Sequence, residues 1–250
     1  MKFEVSIMPR LDDYNRHGKV SYEAILHMLG TGGQRHSLSV KDDVLEGSMS
    51  GIAWILTEWN VHIVKRPEQE EEYTVTTWSK LQKTGIPSSI VAREYILCDS
   101  KGETCVVASS KFVLMDYSKG TIAKIDPEMM EIYKPEPDEA MSVPAGKIKL
   151  PKEFDYEREV ALRREDIDFN GHVHNSRYLV YALEALPEEV YLKDDFTDIR
   201  IEFRKPVLEH DNITVKTVYS EETQSYICAI YNQEDKICSV VKLSQNVTEN

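Results

Sequence analysis

The sequence predicts an α+β fold in which one chain carries two similar units, each a long antiparallel sheet wrapped around a central helix. Three observations predict it. Each half contains an apolar stripe at the 3.6-residue spacing of an amphipathic helix. Each half then continues into segments rich in β-branched and aromatic residues. A proline-rich segment separates the halves. A helix stripe and a sheet face that bury each other give an α+β unit.

The proline-rich segment divides the chain. Residues 135–152 hold four prolines and little periodicity, and proline both removes a backbone donor and fixes the chain in extended or turn conformations. We therefore expect an N-terminal domain at 1–134, a linker at 135–152 and a C-terminal domain at 153–250.

The helices come early in each half, after an opening strand and a loop. The first stripe consists of Tyr22, Ile25, Leu26 and Leu29. The second stripe consists of Asn175, Leu179, Ala182, Leu183 and Leu186. Glycine and proline disfavour helix interiors, so we expect Gly30, Gly32 and Gly33 to end the first helix and Pro187 to limit the second.

Four strand-like segments follow each helix. In the first half they are VHIVKRP (61–67), YTVTTWSK (73–80), SIVAREYIL (89–97) and TCVVASSKFVLM (104–115). In the second half they are IRIEFRKP (199–206), ITVKTVY (213–219), SYICAIY (225–231) and ICSVVKL (237–243). The turn-like stretches between the last two of each set are typical of an antiparallel meander.

Composition and charge exclude several classes of protein. The 250 residues are 29% charged and 41% hydrophobic, with a formal net charge of −13, which argues against a nucleic-acid binder. We find no apolar run of the ~20 residues that a membrane-spanning helix needs and no signal-peptide pattern, so we expect a cytoplasmic protein with no membrane partner. The four cysteines lack a Cys-x-x-Cys spacing and are expected to be buried thiols rather than zinc ligands.

The run DIDFNGHVHNSRYL, Asp166 to Leu179, carries the chemistry-bearing residues. It places Asp168, Asn170 and His172 two residues apart. A carboxylate can serve as general base or nucleophile, a histidine can carry a proton, and an asparagine amide can orient water or polarise a carbonyl. Together these groups suit hydrolysis of an activated acyl group.

An extended strand would hold those side chains roughly 6–7 Å apart, so a bend at Gly171 would be needed to bring them together. Alternatively, Gly171 and the N-terminus of the following helix could present backbone N–H groups to an acyl oxygen. The same Asp-x-Asn-x-His spacing occurs at Asp13, Asn15 and His17. We interpret the pair as the mark of a duplicated unit, with the second copy active and the first inactive.

The segment DIDFNGHVHNSRYLVYALEALP resembles the signature of hotdog-fold thioesterases, most closely the acyl–acyl-carrier-protein (acyl-ACP) thioesterases of plants and bacteria. YTVTTW and SSKFVLMD fit the same family. The resemblance implies two tandem hotdog domains with Asp168, Asn170 and His172 as catalytic residues. Gly171, Asn175 and Tyr178 match the motif beside them and are expected to position substrate.

The activity that the resemblance implies is hydrolysis of fatty acyl-ACP to free fatty acid and holo-carrier protein, which terminates fatty acid synthesis. It implies no metal and no organic cofactor. The partner would be an acyl carrier protein bearing a phosphopantetheine-linked acyl chain. The N-terminal domain would shape the acyl pocket, for which the apolar candidates are Trp54, Trp59, Met28 and Met49.

The sequence departs from the family at two places. His174 stands where the family has a second asparagine. Pro206 and Val207, or with a small shift Val207 and Leu208, stand where the plant enzymes carry a Glu-Cys pair, so a cysteine nucleophile is excluded there. Glu202 and Glu209 are the nearby carboxylates that could substitute.

Two alternatives stay open from the sequence: an acyl-CoA thioesterase of the same fold, and a non-catalytic acyl-binding regulatory hotdog protein. An acidic carrier would need a local basic patch on this acidic chain. The candidates for that patch are Arg163, Arg164, Arg177, Arg200, Arg204 and Lys205. Two fused units predict either a monomer that is a pseudo-dimer or a homodimer.

Overall fold

The computed structural model describes residues 1–42, 44, 51–69, 72–80, 89–125 and 127–245. The chain divides into two compact units, Met1–Val143 and Pro144–Asn250. The division falls inside the segment predicted as a linker.

The first unit is an antiparallel sheet with one long helix. Its sheet has the order β1-β3-β4-β5-β2, with β6 also on β5. The strands are β1 (Phe3–Ile7), β2 (Ile52–Ile63), β3 (Tyr73–Ser79), β4 (Ile90–Cys98), β5 (Thr104–Asp116) and β6 (Thr121–Ala123). The helices are α1 (Tyr22–Ser39) and α2 (Pro127–Glu131), and a 3-10 turn spans Leu11–Asp13.

Helix α1 differs from the prediction, because it runs through Gly30, Gly32 and Gly33 to Ser39. A Cβ atom on Gly32 would lie 2.5 Å from Cγ1 of Val75 in β3. A Cβ on Gly33 would lie 3.2 Å from the hydroxyl of a β4 tyrosine. These two glycines therefore let the helix approach the sheet closely, and they do not end it.

The helix begins at a hydrogen-bonded cap. Ser21 Oγ accepts a hydrogen bond of 3.1 Å from the backbone N–H of Ala24, which satisfies one of the free donors of the first turn. The predicted apolar stripe of Tyr22, Ile25, Leu26 and Leu29 is buried, as expected for a helix face that packs on a sheet.

The second unit repeats the order of the first. Its sheet has the order β8-β11-β10-β9-β7, and each pairing is antiparallel. The strands are β7 (Tyr156–Val160), β8 (Asp198–Phe203), β9 (Ile213–Ser220), β10 (Ser225–Asn232) and β11 (Ile237–Ser244). The helices are α3 (Arg177–Glu184) and α4 (Glu188–Tyr191), and a 3-10 turn spans Arg164–Asp166. Helix α3 ends before Pro187, as predicted.

Residues 135–152 contain no helix or strand, yet they pack on both sheets. Ala140 N–H donates a 3.0 Å hydrogen bond to Oε2 of the buried Glu94 in β4. Ile148 is buried against apolar side chains of β10 and β11, and its N–H donates to Glu202 in β8. Each end of the segment is thus held by a buried glutamate of its own unit.

Candidate active site

The candidate site lies in residues 166–175, which we name the Asp168 loop and which lead from a 3-10 turn into α3. The loop is a tight hairpin: Asp168 N–H donates to the His172 carbonyl at 2.7 Å, and Gly171 N–H donates to the Asp168 carbonyl at 3.0 Å. Gly171 has φ +76°, a left-handed conformation that only glycine adopts without strain from a Cβ atom. The chain bends at Gly171 as predicted, and the bend brings the backbone N–H groups of Asn170 and His172, not their side chains, to the Asp168 carboxylate.

The Asp168 carboxylate is held by the backbone of its own loop. Oδ1 accepts hydrogen bonds from the N–H groups of Asn170 at 2.8 Å and His172 at 3.1 Å. This is the side-chain turn that aspartate and asparagine form with residues further along the chain. Within the part of the chain that the structure describes, Oδ2 makes no hydrogen bond. One oxygen is therefore fixed and the other remains able to react.

The three predicted catalytic residues are linked by hydrogen bonds from the backbone N–H groups of Asn170 and His172 to the Asp168 side chain. In the described residues their side chains do not hydrogen-bond to one another. Asn170 is exposed, while Asp168 and His172 are half-buried. The neighbouring Phe169 side chain is 91% exposed. The loop thus presents its polar groups at the surface, where a substrate can reach them.

Tyr178 and Asn175 have different surroundings. Tyr178 is buried in α3, and its hydroxyl accepts a 2.8 Å hydrogen bond from Val207 N–H. Its ring packs edge-to-face on Phe203 of β8, with ring centroids 5.4 Å apart, and burial raises the pKa of its hydroxyl. Asn175 is exposed just before the helix. Tyr178 therefore holds the turn after β8 in place, and that turn pairs with the Asp168 loop.

The first residue of the Asp168 loop, Asp166, carries a fully buried carboxylate that the sequence analysis did not single out. Asp166 is 0% exposed and receives the Tyr181 hydroxyl at 2.8 Å and the guanidinium groups of Arg163 and Arg177 at 3.1 and 3.2 Å. Arg177 and Tyr181 are four residues apart on α3, so they share a helix face. An arginine and a tyrosine at that spacing on the helix that follows Asp166 were the signal available in the sequence.

The first unit has a loop of the same construction, residues 13–22, which we name the Asn15 loop. Oδ1 of Asn15 accepts the N–H groups of His17 at 3.0 Å and Lys19 at 3.1 Å. Gly18 N–H donates to the Asn15 carbonyl at 3.0 Å, and Gly18 has φ +71°. Asn15 therefore occupies the position that Asp168 has in the second unit.

This correspondence corrects the predicted alignment of the two loops. The prediction paired Asp13 with Asp168 because both begin an Asp-x-Asn-x-His run. The hydrogen bonds instead pair Asn15 with Asp168 and Lys19 with His172, which shifts the match by two residues. The turn depends on a side-chain oxygen followed three residues later by glycine, so the glycine and not the histidine marks the register.

The two glutamates considered as substitutes lie in different surroundings. Glu202 is buried, and Arg200 and Arg204 approach its two oxygens at 3.2 and 3.0 Å, so its carboxylate is occupied by ion pairs. Glu209 is exposed. Val207, one of the residues that the family resemblance sets against the plant Glu-Cys pair, is fully buried, and its carbonyl accepts a 3.0 Å hydrogen bond from Val173 N–H.

The thiols of the second unit are unsuited to nucleophilic chemistry. Burial raises the pKa of Cys228 to about 12 and that of Cys238 to about 11, and the thiolate is the reactive form. The four cysteines are thiols and form no disulfide across the turns that they flank.

Ion pairs within the fold occupy most of the basic residues proposed for carrier binding. Arg163 and Arg177 pair with Asp166, and Arg200 and Arg204 pair with Glu202. The two that remain, Arg164 and Lys205, are exposed. Four of the six candidates thus have an acidic partner within the fold.

No group of three or more His, Cys, Asp or Glu side chains in the described ranges is arranged to hold a metal ion. Among those same residues, no helix combines the length and apolar character needed to cross a membrane.

Family models match both units. Residues 1–133 match the acyl-ACP thioesterase N-terminal domain, and residues 150–245 match the acyl-ACP thioesterase C-terminal domain. The chain therefore belongs to the acyl-ACP thioesterase family.

Two plant relatives show the extent of the likeness. An acyl-[acyl-carrier-protein] hydrolase of Cuphea viscosissima chloroplasts is 27% identical over 163 residues, which cover 62% of this chain and 38% of the relative. The chloroplast oleoyl-acyl carrier protein thioesterase 2 of Arabidopsis thaliana is 26% identical over 188 residues, covering 70% and 49%. The chain thus spans less than half the length of these relatives.

A solved structure shows the fold. The crystal structure of an acyl-ACP thioesterase from Bacteroides thetaiotaomicron superposes with a TM-score of 0.85 at 14% identity, covering 97% of each chain. The predicted fold class, α+β with two tandem hotdog domains, is confirmed.

Proposed function

We propose that the chain is a thioester hydrolase that releases fatty acids from acyl carrier protein and so terminates fatty acid synthesis. Family membership supports the reaction class. The observation that carries the proposal is the Asp168 carboxylate, whose Oδ1 is fixed by two backbone N–H groups while Oδ2 has no hydrogen bond in the described chain.

The reaction begins at Oδ2 of Asp168. Acting as general base, this oxygen takes a proton from water while the water oxygen attacks the thioester carbonyl carbon. The C–S bond then breaks, and the phosphopantetheine thiolate leaves and is reprotonated. Acting instead as nucleophile, the same oxygen forms a mixed anhydride that water hydrolyses. A single turnover in ¹⁸O-water separates the routes, because only the anhydride route can place ¹⁸O in the Asp168 carboxyl group.

Asn170 and His172 orient and polarise the reacting groups in this scheme. The backbone N–H groups of these same two residues bind the Asp168 carboxylate, so the hydrogen bonds fix where both side chains start relative to Asp168. Gly171 positions substrate indirectly, because its N–H is used within the turn. The Asn175 side chain is exposed at the end of the same loop and is a candidate for direct contact with the substrate.

The first unit shapes the acyl pocket in this proposal. Trp59 and Met28 are buried, and Trp59 packs 5.0 Å from the Tyr95 ring. Trp54 is half-buried and donates a 2.9 Å hydrogen bond to Asp42. Met49 lies outside the described residues. The four thiols suit a reducing compartment such as the cytoplasm.

A thiol-release assay tests the function. Acyl-ACP and acyl-CoA substrates of matched chain lengths are compared at equal concentration, and we expect a higher kcat/KM for the carrier-bound series. Equal or faster hydrolysis of acyl-CoA would favour the acyl-CoA thioesterase alternative. Tight acyl binding without thiol release would favour the non-catalytic alternative.

A further inference from the structure

We propose that Asp166 is a positioning residue for hydrolysis: its buried carboxylate fixes the Asp168 loop to helix α3. This inference rests on the proposed function, because a fixed position of the loop matters for catalysis only if Asp168 is the reacting group. Asp166 does not itself contact the substrate in this scheme.

The Asp166 carboxylate is saturated with donors. Oδ2 accepts the Arg163 N–H at 3.0 Å and the Tyr181 hydroxyl at 2.8 Å. Oδ1 lies 3.1 Å from a guanidinium nitrogen of Arg163 and 3.2 Å from Nε of Arg177. Arg177 and Tyr181 belong to α3, and Arg163 precedes the 3-10 turn. One side chain therefore joins the start of the loop to the helix that follows it.

The backbone of Asp166 ties the same points together. Its carbonyl accepts a 2.9 Å hydrogen bond from His174 N–H, and its own N–H donates to the Arg163 carbonyl at 3.0 Å. The two ends of the Asp168 loop are thus joined at this residue. A displacement of Asp166 must move the segment that lies between them.

The equivalent turn in the first unit, which we interpret as inactive, provides a comparison for the bonds of Asp166. Asp13 is the counterpart of Asp166, and its side chain is 17% exposed against 0%. It accepts the Arg10 N–H at 2.7 Å, and the Arg10 guanidinium is 3.7 Å away. The counterparts of Arg177 and Tyr181 are Ala24 and Met28, which cannot bind a carboxylate. The extra bonds to the helix are specific to the second unit.

The bonds also keep Asp166 charged. Burial pushes its pKa up, but the hydrogen bonds from Arg163 and Tyr181 and the Arg163 charge outweigh burial and leave the pKa below its ordinary value. A buried charge with this many donors is costly to perturb. Catalytic groups gain from this kind of support, because a misplacement of about 1 Å can cost roughly 100-fold in rate.

Three variants test the proposal. Asp166→Asn removes the charge, Tyr181→Phe removes one donor to it, and Asp13→Asn is the matched control in the first unit. We expect kcat to fall roughly 10- to 100-fold for Asp166→Asn and several-fold for Tyr181→Phe, with KM within about twofold. Asp13→Asn should keep the wild-type kcat. Tyr181→Phe carries the test if Asp166→Asn does not fold.

Two readouts separate positioning from simple loss of stability. The kcat ratio of variant to wild type is measured at several temperatures well below each melting midpoint, and positioning predicts a constant ratio. Amide hydrogen exchange should rise at Asn170 and His172 in Asp166→Asn. The positioning role would be overturned if the kcat ratio returned to one on cooling, or if Asp166→Asn and Tyr181→Phe both turned over like the wild type. Either result would leave the proposed function standing. An inactive wild-type protein would overturn the proposed function as well.

Discussion

At the scale of single residues, the two units use different side chains to build one turn. Asn15 Oδ1 and Asp168 Oδ1 each accept two backbone N–H groups at 2.8–3.1 Å. The amide serves the turn as well as the carboxylate does, so the turn does not require a charge. The second, ionisable oxygen of Asp168 is therefore available for chemistry, and Asn15 has no such atom.

The glycines of the two loops give a matched prediction. Gly171→Ala and Gly18→Ala each place a Cβ in a left-handed conformation, and neither Cβ would approach another atom closer than 3.7 Å. We expect each variant to lose about 1–2 kcal/mol of stability, measured by denaturant unfolding. Only Gly171→Ala should also lose thioesterase activity, because only that turn carries the carboxylate. Equal activity in the two variants would contradict this assignment.

The candidate residues of the site could be found from sequence, but their arrangement could not. Aspartate, asparagine and histidine at alternate positions suit acyl hydrolysis, but both halves carry that pattern, and only the family resemblance favours the second run. Which oxygen accepts which N–H depends on backbone angles at Gly171, and residue types do not show these. The burial of Asp166 depends on α3 folding back over the loop, so its ion pairs with Arg163 and Arg177 appear only in three dimensions.

At the scale of elements, α1 contains glycine, a weak helix former, at positions where the helix packs closely on the sheet. Gly32 and Gly33 face the sheet, whereas a Cβ on Gly30 would meet nothing within 4 Å. The sequence pattern places all three glycines at the end of the apolar stripe, where glycine ordinarily ends a helix. Close contact with Val75 and Tyr95 overrides that tendency.

These glycines predict opposite effects of the same substitution. Gly30→Ala should stabilise the protein by about 0.5–1 kcal/mol, because alanine is the better helix former and has room. Gly32→Ala should destabilise it by about 1–3 kcal/mol, because the new Cβ overlaps Val75. Thermal and denaturant unfolding of the two variants measure both signs. Stabilisation by Gly32→Ala would contradict the packing shown for α1.

The strands were more predictable than the helix. Runs of β-branched and aromatic residues bounded by turns place β3, β4 and β5 to within about a residue. Two strands differ from their predicted bounds: β2 spans Ile52–Ile63 where 61–67 was predicted, and β8 spans Asp198–Phe203 where 199–206 was predicted. Each ends early where two successive N–H groups donate to one carbonyl, those of Val64 and Lys65 to Cys105 and those of Arg204 and Lys205 to Cys238.

At the scale of the whole molecule, both units have one strand order and one loop design, yet their buried polar groups differ. In the first unit, His36 is fully buried at the end of α1. Arg93 donates a 2.8 Å hydrogen bond to its Nδ1, and the Phe3 ring stacks on it at 5.2 Å. Burial and the Arg93 charge lower the pKa of His36 to about 4.

This histidine predicts a pH dependence of stability. Its pKa is about 4 in the folded protein and 6.5 for the ordinary group, so the unfolded chain binds the proton more tightly. The contribution of His36 is therefore complete above pH 6.5 and is lost as the pH falls toward 4, with a slope of up to about 1.4 kcal/mol per pH unit.

His36→Asn tests this pH dependence, because its amide oxygen can still accept from Arg93 but does not titrate. Unfolding free energies of wild type and variant are compared from pH 7 to pH 4. We expect the wild type to lose stability more steeply than the variant over that range. Parallel curves would show that His36 does not contribute.

The most direct test of the central claim, that Asp168 supplies the reacting oxygen, is the rate of thiol release from acyl-ACP by Asp168→Asn. The Asn15 turn shows that asparagine supports the same hydrogen bonds. We therefore predict a variant with wild-type unfolding behaviour and a kcat reduced by at least roughly 1,000-fold, the scale expected when the reacting group is lost. Near-normal turnover by the folded variant would contradict the account.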